Sequence, residues 1–202
     1  GLVGADGATH HGSYDLSFLA CIPNLVIMTP ADEAECRRMF STAHQLNAPA
    51  AVRYPRGSGT GIAPETNLET LPVGKGVLLR EGTDVALLAF GSRVAPALAA
   101  GETLHASVAN MRFVKPLDAD LVEQLARQHT LLVSIEENAV IGGAGSEIAR
   151  VLEERKIPTP LLRLGLPDRF IEHGEQSELL AELGLDAKGI VGAVRAFRNT
   201  AT

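Results

Sequence analysis

Residues 25–54 read LVIMTPADEAECRRMFSTAHQLNAPAAVRY, and this stretch decides the fold. Leu25 to Met28 is a short apolar run of the kind a buried strand uses. Thr29, Pro30, Asp32 and Glu33 follow it in the order of an N-cap, a first-turn proline and first-turn carboxylates. Cys36, Met39, Phe40, Ala43 and Leu46 then recur every three or four residues, with Arg37, Arg38 and Gln45 between them. That spacing predicts one apolar stripe on a helix from about Pro30 to Leu46. Ala50 to Tyr54 reads as the next strand. Strand, helix, strand in this order is a parallel crossover, so residues 1–57 read as the end of an open α/β sheet.

Beyond Gly57 the pattern lapses. Gly57, Gly59, Gly61, Pro64 and Pro72 alternate with Ser58, Thr60, Thr66 and Thr70, the composition of a linker over residues 58–72. A second α/β pattern fills residues 73–202. Strands are predicted at Gly74 to Arg80, Val85 to Phe90, Ala106 to Asn110, Leu131 to Ile135 and Leu161 to Leu164. Helices are predicted at Val94 to Leu104, from an Asp118 cap through Leu121, Val122 and Leu125, at Ala144 to Arg155, near Glu175 to Leu183 and at Ala187 to Asn199. The expected architecture is a mostly parallel sheet covered by helices.

Composition narrows the function. Eighteen Lys and Arg against 24 Asp and Glu leave a net charge of −6, which argues against nucleic acid as a partner. No apolar run approaches the ~18 residues of a membrane-spanning helix, so no membrane is expected as a partner. The two cysteines, Cys21 and Cys36, form neither a disulfide framework nor a zinc-ligand spacing, and a reducing cytoplasm is the expected home. The chain opens on Gly1-Leu2-Val3-Gly4, which reads as the tail of a strand, and a piece of a longer protein is expected.

The chemistry concentrates in three places. Gly4-Ala5-Asp6-Gly7-Ala8-Thr9-His10-His11-Gly12 follows a strand end, where open α/β sheets bind ligands. An Asp6 carboxylate accepting from the His10 ring would fix its tautomer and leave the other nitrogen to exchange a proton. The alternative is that Asp6 caps a turn and His10 only packs, with His11 solvated. Arg56, leaving a strand at Pro55 and Gly57, can present its planar fork to a phosphate or carboxylate, or pair with a nearby acid, whereas Arg53 within the strand reads as structural. Gly142-Gly143-Ala144-Gly145-Ser146 opens a helix and suits close packing on a strand better than anion binding. Glu136 and Glu137, at the end of the strand before it, could face a partner domain or be a solvated acid pair, and Asp168-Arg169 and His173-Gly174 lie in a late loop of open role.

Several of these segments occur together and in order. They are Gly4-Ala5-Asp6-Gly7 with Thr9-His10, Cys21-Ile22-Pro23, Val26-Ile27-Met28-Thr29-Pro30 with Asp32-Glu33, and Val52-Arg53-Tyr54-Pro55-Arg56-Gly57. Met111-Arg112-Phe113-Val114-Lys115-Pro116-Leu117-Asp118, Glu136-Glu137-Asn138, Gly142 to Ser146 and Gly165-Leu166-Pro167-Asp168 continue the series. The chain thereby resembles, over essentially its whole length, the 1-deoxy-D-xylulose-5-phosphate synthases, thiamine-diphosphate enzymes similar to transketolase.

The resemblance implies that residues 1–57 are the second half of a pyrimidine-binding domain and residues 73–202 a transketolase C-terminal domain. It implies a transferase that condenses pyruvate with D-glyceraldehyde 3-phosphate, losing carbon dioxide, with thiamine diphosphate and Mg2+ in the complete enzyme. By the same match His10 positions substrate or moves a proton, Asp6 organises its loop and Arg56 binds the aldehyde's phosphate. The family's magnesium motif, its diphosphate-gripping domain, the Glu that activates the aminopyrimidine and one further phosphate-binding Arg have no counterpart in this chain. The chain is therefore expected to be inactive alone, to need the upstream polypeptide and to work in a homodimer. Two alternatives stand beside this reading: the β-subunit of a 2-oxoacid dehydrogenase, which resembles the chain in domain order, and a noncatalytic assembly module.

Overall fold

The computed structural model describes residues 1–63 and 66–200; Pro64 of the predicted linker and the last two residues of the second unit lie outside them. The chain begins with 3-10 turns over Gly4–Thr9, then α1 (Asp15–Ala20), β1 (Val26–Met28), α2 (Glu33–Gln45) and β2 (Ala50–Val52). The predicted crossover is present, since β1 and β2 pair in parallel, with Val26 beside Ala50 and Met28 beside Val52.

The start of α2 differs from the sequence expectation. Asp32, not Thr29, is the N-cap, and its carboxylate accepts the Glu35 N–H at 2.7 Å. Thr29 is diverted because its hydroxyl and amide both donate to the Arg112 carbonyl, which ties the end of β1 to the second half of the chain. Met39 is buried as the stripe requires, but Phe40 is half-exposed and meets the Tyr54 ring edge-on.

The second half contributes β3 (Val77–Arg80), β4 (Val85–Ala89), α3 (Val94–Leu104), β5 (Ser107–Asn110), β6 (Phe113–Lys115), α4 (Ala119–Gln128), β7 (Leu131–Ala139), α5 (Ala144–Glu154), β8 (Leu161–Leu166), α6 (Gln176–Glu182) and α7 (Ala187–Thr200). Five of these strands form a sheet in the order β3-β5-β4-β7-β8, parallel except for β3 at its edge. Side chains alternate across it with period two. Val85, Leu87 and Ala89 face a core shared with α3 and α7, whereas Ala86, Leu88 and Phe90 face one shared with α4 and α5. Helices on both faces are what let a parallel sheet bury every residue of β4 and β7.

Two features join the halves. Strand β6 does not extend the large sheet but pairs antiparallel with β1, so the small sheet runs β2-β1-β6. Glu35 of α2, 2% exposed, accepts from the Asn110 amide and from Arg112 Nε at 2.7 Å. The glycine-rich connection is strapped along α2: Arg37 donates to the Thr66 carbonyl, Ser41 to that of Leu68, and Thr42 Oγ1 accepts the Leu71 N–H.

Candidate functional site

A cleft of about 450 Å3 opens where the halves meet, lined by the start of α2, by residues 54–60, by Ser92 and Arg93 in the turn after β4, and by Glu137 of β7. It sits at the C-terminal ends of β2, β4 and β7, the position at which parallel sheets present ligand sites. The linker forms one wall because Glu33, the first residue of α2, accepts from the Gly61 N–H and the Thr60 hydroxyl, both at 2.8 Å. The Gly61 N–H, Glu33's own N–H and that hydroxyl hold the Glu33 carboxyl down at about 2. Gly59 passes so close that a Cβ there would meet the Glu33 carboxylate.

Asp6 and Arg56 come together at the rim as an ion pair, with 35% and 65% of their side chains exposed. An exposed pair of this kind is weakly held, so an incoming anion can take the guanidinium without a large penalty. His10 is exposed on the same loop, but its Nδ1 lies 2.9 Å from Thr9 Oγ1. The expected Asp6–His10 hydrogen bond is thus replaced by two separate pairs: arginine has captured the carboxylate, and the neighbouring hydroxyl sets the imidazole.

The loop carrying these residues is closed at its neck. Gly12 N–H donates to the Gly1 carbonyl at 2.8 Å, and Val3 N–H donates to His11 Nδ1 at 2.9 Å. His11 is therefore not the solvated residue expected from sequence; it is half-buried and fastens the neck. Gly7 turns the chain at φ 69° with the backbone of His173 beneath it, where a side chain would be both strained and crowded. Gly174 N–H reaches the Gly4 carbonyl and Gln176 donates to the Leu2 carbonyl at 2.7 Å, so the late loop of open role backs the site loop.

Of the two readings of Glu136 and Glu137, solvation fails, and Glu137 faces the other half of the chain. Each is 1% exposed, because β7 continues through them to Ala139. Glu137 Oε1 accepts the Leu2 N–H at 2.8 Å, and its Oε2 accepts from Ser92 Oγ at 2.7 Å and faces Arg93 at 3.5 Å. Burial pushes this carboxyl up, but Arg93, the Ser92 hydroxyl and Arg53 outweigh it and hold it below its usual range. Arg53, structural as predicted, spans Asp15 at 3.2 Å, the Gly12 carbonyl at 3.0 Å and the Glu137 carbonyl at 2.5 Å.

Glu136 accepts from the Ala144 and Gly145 amides at 2.7 and 2.8 Å, so the glycine-rich start of α5 already holds an internal carboxylate. Burial raises its carboxyl to about 7 despite those two donors. A Cβ at Gly143 would strike the Glu136 carboxylate and one at Gly145 the Ser134 hydroxyl, which bears out close packing as the role of these glycines.

Glu35, Ser92, Arg93 and Gln176 carry no local mark in the sequence as binding or bracing residues, and Glu137 only that of an acid that could face a partner domain. The available signal was Glu136-Glu137-Asn138 continuing an apolar strand without a turn residue, which marks buried polar groups that must have partners. Among the described residues there is no group of three or more His, Cys, Asp or Glu side chains able to hold a metal ion. No helix among them is long and apolar enough to cross a membrane.

Two family models match the chain: the transketolase pyrimidine-binding domain over residues 1–60 and the transketolase C-terminal domain over residues 74–190. The chain is 71% identical over 199 residues to a 1-deoxy-D-xylulose-5-phosphate synthase of Dechloromonas aromatica, covering 98% of this chain and 32% of that protein. It is 65% identical over 195 residues to the synthase of Aromatoleum aromaticum, covering 96% of this chain and 31% of that protein. It thus spans under a third of the length of these curated relatives. Among solved structures, a split gene transketolase in the form of an inactive β4 tetramer superposes with a TM-score of 0.79 at 32% identity, over 94% of this chain and 62% of that one.

Proposed function

The chain belongs to the transketolase family, and we propose that it is one part of a transferase that condenses pyruvate with D-glyceraldehyde 3-phosphate, releasing carbon dioxide, to give 1-deoxy-D-xylulose 5-phosphate. Within this reading residues 1–57 complete a pyrimidine-binding domain, residues 58–72 link, and residues 73–202 form the C-terminal domain. The observation that carries the proposal is the Asp6–Arg56 pair at the rim of a cleft between the two halves. Its planar fork suits a phosphate, and its present partner is a carboxylate that a phosphate can displace.

The roles follow from placement. Arg56 receives the phosphate of the aldehyde, Asp6 holds Arg56 at the rim until it arrives, and His10, on the same loop, positions substrate or moves a proton. No group of three or more His, Cys, Asp or Glu side chains stands among the described residues, and most of the groups that hold thiamine diphosphate and its Mg2+ are read as lying on the remaining polypeptide. The complete enzyme is read as a homodimer in the cytoplasm, and this chain by itself as inactive. That the split gene transketolase forms an inactive tetramer supports the last point for a chain of this fold.

The test is an assay with pyruvate and glyceraldehyde 3-phosphate, supplying thiamine diphosphate, Mg2+ and the remaining polypeptide. Turnover is expected only in the assembled sample. There Arg56→Met raises KM for the aldehyde phosphate about tenfold or more, and leaves KM for pyruvate nearly unchanged. Turnover by the isolated chain, or transfer to a lipoyl group in place of the aldehyde, overturns the proposal.

A further inference from the structure

We infer that Arg53 and Glu137 are positioning residues, which set the geometry of the site loop by gripping its neck, Arg53 from just after β2 and Glu137 from the opposite half of the molecule. Residues 2–12 are exposed at their tip, where Asp6 and His10 sit, and order must be imposed from the ends. At the entering end, Glu137 Oε1 accepts the Leu2 N–H, and at the leaving end Arg53 Nη2 donates to the Gly12 carbonyl. The two grips are one unit, because the same Arg53 nitrogen also donates to the Glu137 carbonyl. Both lie deep: the Glu137 side chain is 1% exposed and that of Arg53 10%.

The unit is anchored in turn. Asp15 holds Arg53 Nε, and Ser92 and Arg93 hold the second oxygen of Glu137. Arg93 is fixed by donating to the Leu185 carbonyl at 3.0 Å. A chain of charge-assisted bonds therefore runs from the helices behind the large sheet to both ends of the loop. Arginine is needed at position 53, since three acceptors in different directions suit a planar fork and not a single ammonium.

The catalytic consequence rests on the function proposed above, whereas the mechanical one does not, so the test reads both in the same assembled enzyme. Hydrogen exchange of the amides of residues 2–12 is compared between wild type, Arg53→Lys, Glu137→Gln and Glu137→Ala. Arg53→Lys and Glu137→Ala are expected to speed exchange about tenfold in this loop while β4 and β7 remain protected. Glu137→Gln keeps an acceptor for the Leu2 N–H and stays within about threefold of wild type. In steady-state kinetics Arg53→Lys raises KM for glyceraldehyde 3-phosphate several-fold as well as lowering kcat, and Glu137→Gln recovers most of what Glu137→Ala loses. If Glu137→Ala does not fold, Arg53→Lys decides the matter. Loop exchange unchanged in Arg53→Lys, or exchange rising equally in β4 and β7, overturns the inference. So does a fall in kcat alone, with every KM unchanged. An assembled wild type without turnover refutes the functional reading, and the exchange result still judges the grip.

Discussion

Strand β4 buries all five of its residues, whereas β2, which leads into the cleft, leaves all three half-exposed. The contrast extends to the units around them. The large sheet has helices on both faces and alternating side chains committed to two cores. The small sheet has three strands of three residues each, one of them borrowed from the other half. The residues proposed for chemistry lie on the less self-sufficient unit. Its order comes from outside: Leu2 is fully buried within the core of the large sheet, Glu35 is held by Asn110 and Arg112, and the loop neck by Glu137. Exposed, adaptable groups are thus mounted on a scaffold that contributes rigidity and few reacting atoms.

The sharpest way to break this contrast is to empty each region in turn. Leu87→Ala, at a fully buried position of the central strand, is expected to cost roughly 3–5 kcal/mol in denaturant unfolding, against about 1 kcal/mol for Val52→Ala in β2. Equal losses would mean that the small sheet is as tightly packed as the large one.

A second test uses protons. Glu136 titrates at about 7 in the fold against an ordinary 4.5, so the folded state binds more protons than the unfolded one between those values. Its contribution is fully present below about 4.5 and is lost as pH rises through about 7, a change on the order of 3 kcal/mol. Thermal melts of Glu136→Gln across this range should lose that downward slope. A slope that survives the substitution places the titration elsewhere.

The smallest effect belongs to the strap. Glu33 is held down at about 2, so its contribution persists above its ordinary 4.5 and fades only as pH falls toward 2. Glu33→Gln should leave the melting curve at neutral pH almost unmoved, yet render the Gly59–Gly61 segment several-fold more susceptible to limited proteolysis. Unchanged cleavage would show that the Arg37 and Ser41 bonds suffice to hold the connection.

The large sheet was legible in sequence because its elements satisfy themselves locally. The helix at Val94–Leu104 matches its predicted bounds, and Asp118 caps α4 as expected, accepting the Leu121 N–H. Illegible were the features that depend on partners far along the chain. Strand β6 has three residues and finds its mate in the other half, so no local period announces it. Thr29 reads as the cap in sequence, and it is the Arg112 carbonyl, far along the chain, that takes its hydroxyl and leaves the role to Asp32. For Glu136 and Glu137 the sequence leaves solvation and a partner-facing role both open, because the donors that decide between them lie on α5, at Leu2 and at Ser92. At the site, the meeting of Asp6 with Arg56 is visible only in three dimensions, because the residues sit on separate segments.

The borrowing of β6 also orders events during synthesis. Thr29 and its acceptor Arg112 are 83 residues apart, so the edge of β1 stays open while the intervening chain leaves the ribosome. A nascent chain halted before Phe113 would expose the bare β1 edge, a template for pairing with another unfinished chain. The proposed substrate-handling half is therefore made before the strand that completes it and is among the last to be finished.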